Sequence, residues 1–198
     1  MCGIHLPVTE AFVVFLVGLS GSGKTTVASW MEEDLGFIHL DIDPPAGRDG
    51  VNVSDIRQEW DLFLHQQEAT PLAKAIRALV SEASASGAVL SFPSTALFHR
   101  PMIDLAEGVG LQTIILHGSP EQCRAAFLDR EKSTGRRYTA DHWHRNNDRA
   151  AALYLSAEYS DARMPAFRTD GTRWSREEMM QMVRERSRLA ASGAPPSA

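Results

Sequence analysis

The chain has 198 residues, 43% hydrophobic and 23% charged, with 20 Lys+Arg against 25 Asp+Glu. At about 150 residues per domain this is one compact unit, able to bury roughly 70% of the surface that its unfolded chain exposes. A net charge of −5 excludes a chain-wide basic surface for nucleic acid, leaving only a local patch, and two cysteines, Cys2 and Cys123, are too few for a disulfide framework or a CxxC zinc site.

Five apolar segments of strand length alternate with helical patterns, the signature of an α/β chain with a parallel sheet covered on both faces. The first, 12–17, is unbroken, too short to span a membrane and without a basic leader, so it reads as a central strand of a cytoplasmic protein. Val27, Trp30, Met31 and Leu35 follow at helical spacing, and Gly36 stops that helix. The second strand is 37–40, ending in Asp41-Ile42-Asp43 before Pro44-Pro45. A helix is expected from about 53 to 65. Another should start at Pro71, with Leu72, Ile76, Leu79 and Val80 on one face. The third strand is 88–92, broken by Pro93, and the fourth is 112–117. The fourth runs into Ser119-Pro120, a serine cap with proline in the first turn. A helix around 149–159, a short fifth strand at 165–168 and a capping box at Ser175-Arg176-Glu177-Glu178 complete the domain, 1–189. Residues 190–198 have little to bury and are expected to be a disordered tail.

Gly18-Leu19-Ser20-Gly21-Ser22-Gly23-Lys24-Thr25 fits GxxxxGK[ST] between an apolar strand and an amphipathic helix, the context that this phosphate-binding motif needs. Glycines let successive N–H groups turn toward phosphate oxygens, and the helix N-terminus adds partial positive charge. Gly18, Ser20, Gly21, Ser22, Gly23, Lys24, Thr25 and Thr26 therefore form the expected nucleotide cradle. Lys24 reaches the β- and γ-phosphates and the Thr25 hydroxyl ligates Mg²⁺. Neither DxxG nor [NT]KxD of the GTPase switches occurs, which leaves a small phosphotransferase as the simplest class.

Asp41 and Asp43 end the second strand, 17 and 19 residues after Lys24. Ligands of open parallel sheets sit at the carboxyl ends of strands, so both can face the γ-phosphate. Asp41 is the expected metal ligand with Thr25. Asp43, further out, is the expected base for an acceptor hydroxyl.

GLSGSGKTT followed at this interval by LDID resembles the shikimate kinase and gluconate kinase group of small-molecule kinases, with adenylylsulfate kinase a more distant cousin. The resemblance is specific over 12–43 and thin beyond. It implies a three-layer P-loop kinase fold, a five-stranded parallel sheet of order 2-3-1-4-5 with helices on both faces, and transfer from ATP with Mg²⁺ to a hydroxyl. Ser91-Phe92-Pro93-Ser94 stands where shikimate kinases carry a glycine triplet, and HPxxN of gluconate kinases is missing after Asp43. The acceptor is therefore expected to be neither of those two compounds. The opening Met1-Cys2-Gly3-Ile4 also resembles class II glutamine amidotransferases, but a second motif from Gly18 leaves no room for their sandwich.

Seven of the 20 basic residues fall within 124–149, where an even spread would put about three. The kinase resemblance makes about 130–147 a lid over ATP. Arg130 lies on its nucleotide side, and Arg136 or Arg137 stabilises charge on the moving phosphoryl group. It also places the acceptor over about 44–70, with Arg48 and Arg57 gripping an anion, Ser91 and Ser94 bonding a polyol or phosphate, and Arg149 on the substrate side. Trp60 suits a pocket wall and a core position equally. Asp170, in Thr169-Asp170-Gly171-Thr172, borders the adenine. The expected protein is a monomer or homodimer acting on a small hydroxyl compound. A nucleotide or nucleic-acid end kinase and a non-catalytic ATP-binding regulator are the alternatives.

Overall fold

The computed structural model describes residues 11–42, 54–92, 97–135 and 138–192. Its sheet follows from the apolar runs: β1 (Phe12–Gly18), β2 (Phe37–Asp41), β3 (Gly87–Ser91), β4 (Leu111–His117) and β5 (Arg163–Pro165) pair in parallel in the order β2-β3-β1-β4-β5. In the central β1 every residue from Val13 to Gly18 is buried, as a strand covered on both faces must be.

Alternation along the strands separates two cores. Val13, Phe15, Val17, Leu40 and Leu90 point to one face, where α2 (Ser54–Gln66), α3 (Ala69–Glu82), α4 (Arg100–Glu107), α5 (Pro120–Ser133) and α6 (Ala140–Tyr154) supply partners. Val14, Leu16, Val89, Ile114 and Leu116 point to the other, against Val27, Ala28 and Met31 of α1 (Lys24–Leu35) and Met179, Met180 and Val183 of α7 (Arg176–Ser192). Arg176 ties these two helices together with ion pairs of 2.7 Å to Glu33 and 2.6 Å to Asp34.

The first core is centred on Phe15, Trp60, Phe63, Phe92 and Phe98. Trp60 stacks on Phe92 with ring centroids 4.4 Å apart, and Phe15 meets Phe92 edge-on at 5.2 Å. Trp60 is thus a core residue, and Phe92 packs there with it.

Five elements differ from expectation. α3 starts at Ala69, so Pro71 lies within its first turn, where a missing N–H costs nothing. The segment 100–107 is a helix with no counterpart among the expected elements; Pro101 opens it and Met102, Ile103 and Ala106 bury its inner face. α6 begins at Ala140 rather than 149 and ends at Tyr154, followed by a turn of 3-10 helix, Ala157–Tyr159. β5 lies two residues earlier than expected. The hydrogen bond from Ala166 N–H to the His117 carbonyl continues it, and Phe167 then bridges to Arg173 instead. α7 runs to Ser192, into the segment expected to be a tail; 193–198 lie outside the described residues.

Both expected serine caps form. The Ser119 hydroxyl accepts from Gln122 N–H at 3.2 Å, and Gln122 Oε1 accepts from Ser119 N–H at 3.0 Å. Ser175 and Glu178 make the same reciprocal pair, at 3.3 Å and 2.9 Å. Ser119→Ala is expected to lower unfolding free energy by about 1 kcal/mol in a urea titration, because it orphans an N–H at the start of α5.

Candidate phosphate site and its surroundings

The segment 18–23 links β1 to α1, and its shape is set by what surrounds it. Gly21 has φ 88°, and a Cβ there would lie 2.0 Å from the Cys123 carbonyl oxygen and 2.8 Å from the Phe127 nitrogen. The first two turns of α5 therefore press directly on the loop, and no other residue fits. Gly23, with φ 99°, precedes α1 without a side-chain cap, so orphan N–H groups open that helix, where an oxyanion is favoured.

Lys24 folds back over the loop, its Nζ donating to the Gly18 carbonyl at 2.8 Å and the Leu19 carbonyl at 3.0 Å. Burial pushes its ammonium down to about 8; Cys123 and Asp41 nearby act against that shift and Arg130 adds to it. Burial pushes the Cys123 thiol up to about 11, which keeps it protonated and unreactive. The Ser22 hydroxyl is buried and has no hydrogen-bond partner among the described residues.

Asp41 pairs in register with Ser91 at the ends of β2 and β3. Leu40, Ile42, Leu90 and Phe92 all enter the first core. The pleat therefore turns Asp41 and Ser91 to the opposite face, that of α1 and Lys24. The Ser91 hydroxyl bonds His39 Nε2 at 2.9 Å.

The basic stretch does not converge as its composition suggests. Arg130 gives Nε and Nη2 to Glu131 Oε1 at 3.0 Å and 2.7 Å and lies over the Phe127 ring, 5.2 Å from its centroid. Arg124 bonds His144, whose other nitrogen bonds Asp148 at 2.9 Å. His142 stacks on Tyr138, ring centroids 4.3 Å apart. The buried side of α6 is Trp143, Asn147, Ala150, Ala151 and Tyr154, and Arg149 is exposed away from it. Thr26 is exposed on α1. The Asp170 carboxylate accepts from Thr172 N–H at 2.9 Å and from its hydroxyl at 2.7 Å, shaping the 169–172 turn; these two bonds hold its acid below the usual carboxylate range. Asp43, Arg48, Ser94, Arg136 and Arg137, the side chain of Arg57, and Cys2 lie outside the described residues.

Three residues at the loop carry no recognisable signal in the sequence. Trp143 Nε1 donates to the Ser20 carbonyl at 2.9 Å, Asn147 Oδ1 accepts from Ser20 N–H at 2.7 Å, and Arg173 donates to the carbonyls of Gly21 and Ser22 at 2.6 Å and 3.1 Å. Each acts on backbone more than 120 residues away, which no motif registers. The one sequence hint is Asn147 itself, a polar residue in phase with Trp143, Ala150 and Tyr154 on the apolar side of a helix.

Substituting Gly21 should cost more than substituting Gly135, which has φ 71° but open space where a Cβ would stand. Gly135→Ala is expected to lose only the conformational contribution, about 1 kcal/mol. Gly21→Ala should lose that and in addition shift α5, for about 1–3 kcal/mol or more, read from paired urea melts.

No curated protein matches the chain significantly. Among solved structures, a shikimate kinase from Bacteroides thetaiotaomicron is 20% identical, with 90% of this chain and 99% of that chain covered and a TM-score of 0.51. An unliganded sugar kinase from Janibacter sp. HTCC2649 is 16% identical, with 93% and 98% covered and a TM-score of 0.50. A gluconokinase from Sinorhizobium meliloti 1021 is 18% identical, with 93% and 94% covered and a TM-score of 0.47. At these identities the likeness to the first two concerns the fold alone, and shikimate kinase belongs to the group that GLSGSGKTT and LDID resemble. The family model described as an AAA domain matches residues 13–153, from β1 through the phosphate loop to α6. The chain therefore belongs to the AAA domain family, on a P-loop kinase fold.

Proposed function

We propose that the protein is an ATP-dependent phosphotransferase acting on a hydroxyl of a small molecule. The observation that carries the reading is the placement of Lys24 and Asp41 on one side of the sheet, at the mouth of a glycine loop that leads into an uncapped helix.

Those residues fit a nucleotide with Mg²⁺. The cation demands few protein oxygens and keeps several waters, so Thr25 and Asp41 suffice beside the phosphates. Among the described residues no group of three or more His, Cys, Asp or Glu could hold a metal ion, so none offers a rival cage. Bound ATP–Mg²⁺ supplies the transferable phosphoryl group and much of the charge neutralisation. The chain's own contributions are positional and electrostatic. N–H groups of the loop and of the first turn of α1 hold phosphate oxygens, and Lys24 adds a full charge. Asp43, two residues beyond Asp41, accepts the acceptor's proton. Arg130, Arg136 and Arg137 close over the nucleotide as a lid, which excludes water and limits idle hydrolysis; of the expected span of about 130–147, the part on α6 that carries Trp143 and Asn147 is anchored to the loop and does not move with it.

Ser91 moves in this reading. Its position on the α1 face beside Asp41 would set it on the metal side of the site rather than against the acceptor. Arg48, Arg57 and Ser94 remain the acceptor-side proposals, with Arg149 the weakest because it is exposed off the inner face of α6. Among the described residues no helix is long and apolar enough to cross a membrane, and the buried free thiol of Cys123 suits the reducing cytosol proposed for the enzyme.

The deciding experiment measures ATP consumption against sugars, polyols, cyclic acids, nucleosides and aminocyclitols. At least one class should stimulate turnover. Asp43→Asn should lose most of that stimulation while keeping nucleotide affinity within a few fold. Tight ATP binding with no stimulation by any class overturns the kinase reading.

Lys24 gives a pH signature. Its ammonium titrates near 8 in the free protein, and bound polyphosphate favours the charged form. The complex therefore binds more protons than the free protein above that pH, so affinity must fall as pH rises through 8, approaching about tenfold per unit. Calorimetry of ADP binding at pH 8.5 in two buffers should report proton uptake, absent in Lys24→Met, which should also lose at least about 100-fold in affinity.

A further inference from the structure

The carbonyl oxygens of 18–23 can be followed one by one, and each has a partner. Gly18 and Leu19 hold Lys24, Ser20 holds Trp143, Gly21 and Ser22 hold Arg173, and Gly23 accepts from Val27 N–H at 2.9 Å within α1. The middle three depend on side chains from outside the loop and its helix.

A trans peptide carries its N–H opposite its C=O, and among the described residues no peptide is cis. Holding the oxygens of Ser20, Gly21 and Ser22 toward Trp143 and Arg173 turns the N–H groups of Gly21, Ser22 and Gly23 away from them; the Ser22 N–H donates to the Leu19 carbonyl at 3.1 Å, so those of Gly21 and Gly23 carry the inference. Both side chains are built in. Trp143 is fully buried, and Asn147, one turn along α6, is 1% exposed. The Asn147 amide nitrogen donates to the Trp143 carbonyl at 2.7 Å, which fixes its Oδ1 on Ser20 N–H. Arg173 lies over the Phe167 ring at 4.6 Å, and its Nη1 stands 2.7 Å from where a Cβ on Gly23 would be. The missing side chain of Gly23 is the space that the guanidinium uses.

We infer that Trp143, Asn147 and Arg173 are positioning residues of the phosphate loop, holding its carbonyls outward so that the N–H groups of Gly21 and Gly23 are aimed at a polyphosphate before it binds. The inference rests on the nucleotide-binding reading and deepens it. Phosphate affinity becomes a property of α6 and of the segment after β5 as well as of the glycine motif. Pre-aimed donors need no reorganisation on binding, so removing an outer partner should weaken phosphate recognition specifically.

The test measures displacement of a fluorescent ADP by ATP, tripolyphosphate and adenosine. Trp143→Phe keeps the ring and deletes one N–H; Arg173→Met keeps the stem and deletes the two-pronged donor. Each should weaken ATP and tripolyphosphate by about 5- to 30-fold and leave adenosine within about twofold, while Trp143→Phe lowers the ligand-free melting temperature by only the few degrees that one orphaned carbonyl costs. Arg173→Lys, with charge but without the fork, should fall between wild type and Arg173→Met. Wild-type affinity for tripolyphosphate in both variants, or equal losses for adenosine and tripolyphosphate, overturns the positioning role. Should Arg173→Met not fold, Trp143→Phe decides alone. A wild-type protein that binds neither ATP nor tripolyphosphate overturns the nucleotide reading, and this inference with it.

Discussion

A peptide group that sends its N–H into an anion site has to send its C=O the other way, and that oxygen then needs a partner of its own. Within 18–23, Gly18, Leu19 and Ser22 are buried, and there water cannot be relied on. An oxygen left unpaired there costs about 1–3 kcal/mol. The glycines permit the curl but do nothing to stabilise it, since glycine loses more freedom on ordering than any other residue. Stability comes from β4, whose Leu116 carbonyl would stand 2.3 Å from a Cβ on Gly18, from α5 against Gly21, from α6 and from Arg173. The site is thus completed by segments that arrive late in the chain, and it cannot be shaped before they dock.

The charge distribution has the same lesson. The crowding of basic residues over 124–149 suggests a positive cap, yet Arg124 and Arg130 already have local partners, His144 and Glu131. Glu131 is nearly fully buried and uses only one oxygen on Arg130; its Oε2 has no hydrogen-bond partner. A basic run in sequence is therefore not a converged electrostatic site. Its free share is smaller than its count, and it depends on which arginines can leave these partners when a polyphosphate arrives.

What the sequence makes legible is what is decided locally. The apolar run of β1, the glycine motif, the stop at Gly36 and the serine caps at Ser119 and Ser175 each depend on neighbours within a few residues, and the structure has all of them. α4 was hidden because it is short and its apolar positions are few. β5 was displaced because three residues give alternation too little length to show, and its boundary is set by pairing with Ile115, Leu116 and His117. Trp60 was ambiguous between pocket and core, and only tertiary stacking on Phe92 and Phe98 resolves it. Trp143 and Arg173 were invisible for a deeper reason. They recognise backbone, which has no letter in the sequence.

Lys24 and the outer partners divide the work of the loop between a part that changes and a part that does not. The ammonium has three donors, two of them on the carbonyls of Gly18 and Leu19. Those carbonyls are neutral and only partly compensate for lost hydration, which is why its charge is held weakly near neutral pH. A phosphate oxygen offers it a full opposite charge, so binding relieves a cost already present in the free protein. Trp143 and Arg173 hold the loop's carbonyls, on the side opposite the N–H groups proposed to meet phosphate. A site built this way concentrates its electrostatic response in one side chain while the backbone donors around it stay fixed. Reorganisation on binding is then confined to Lys24 and to whatever closes over it.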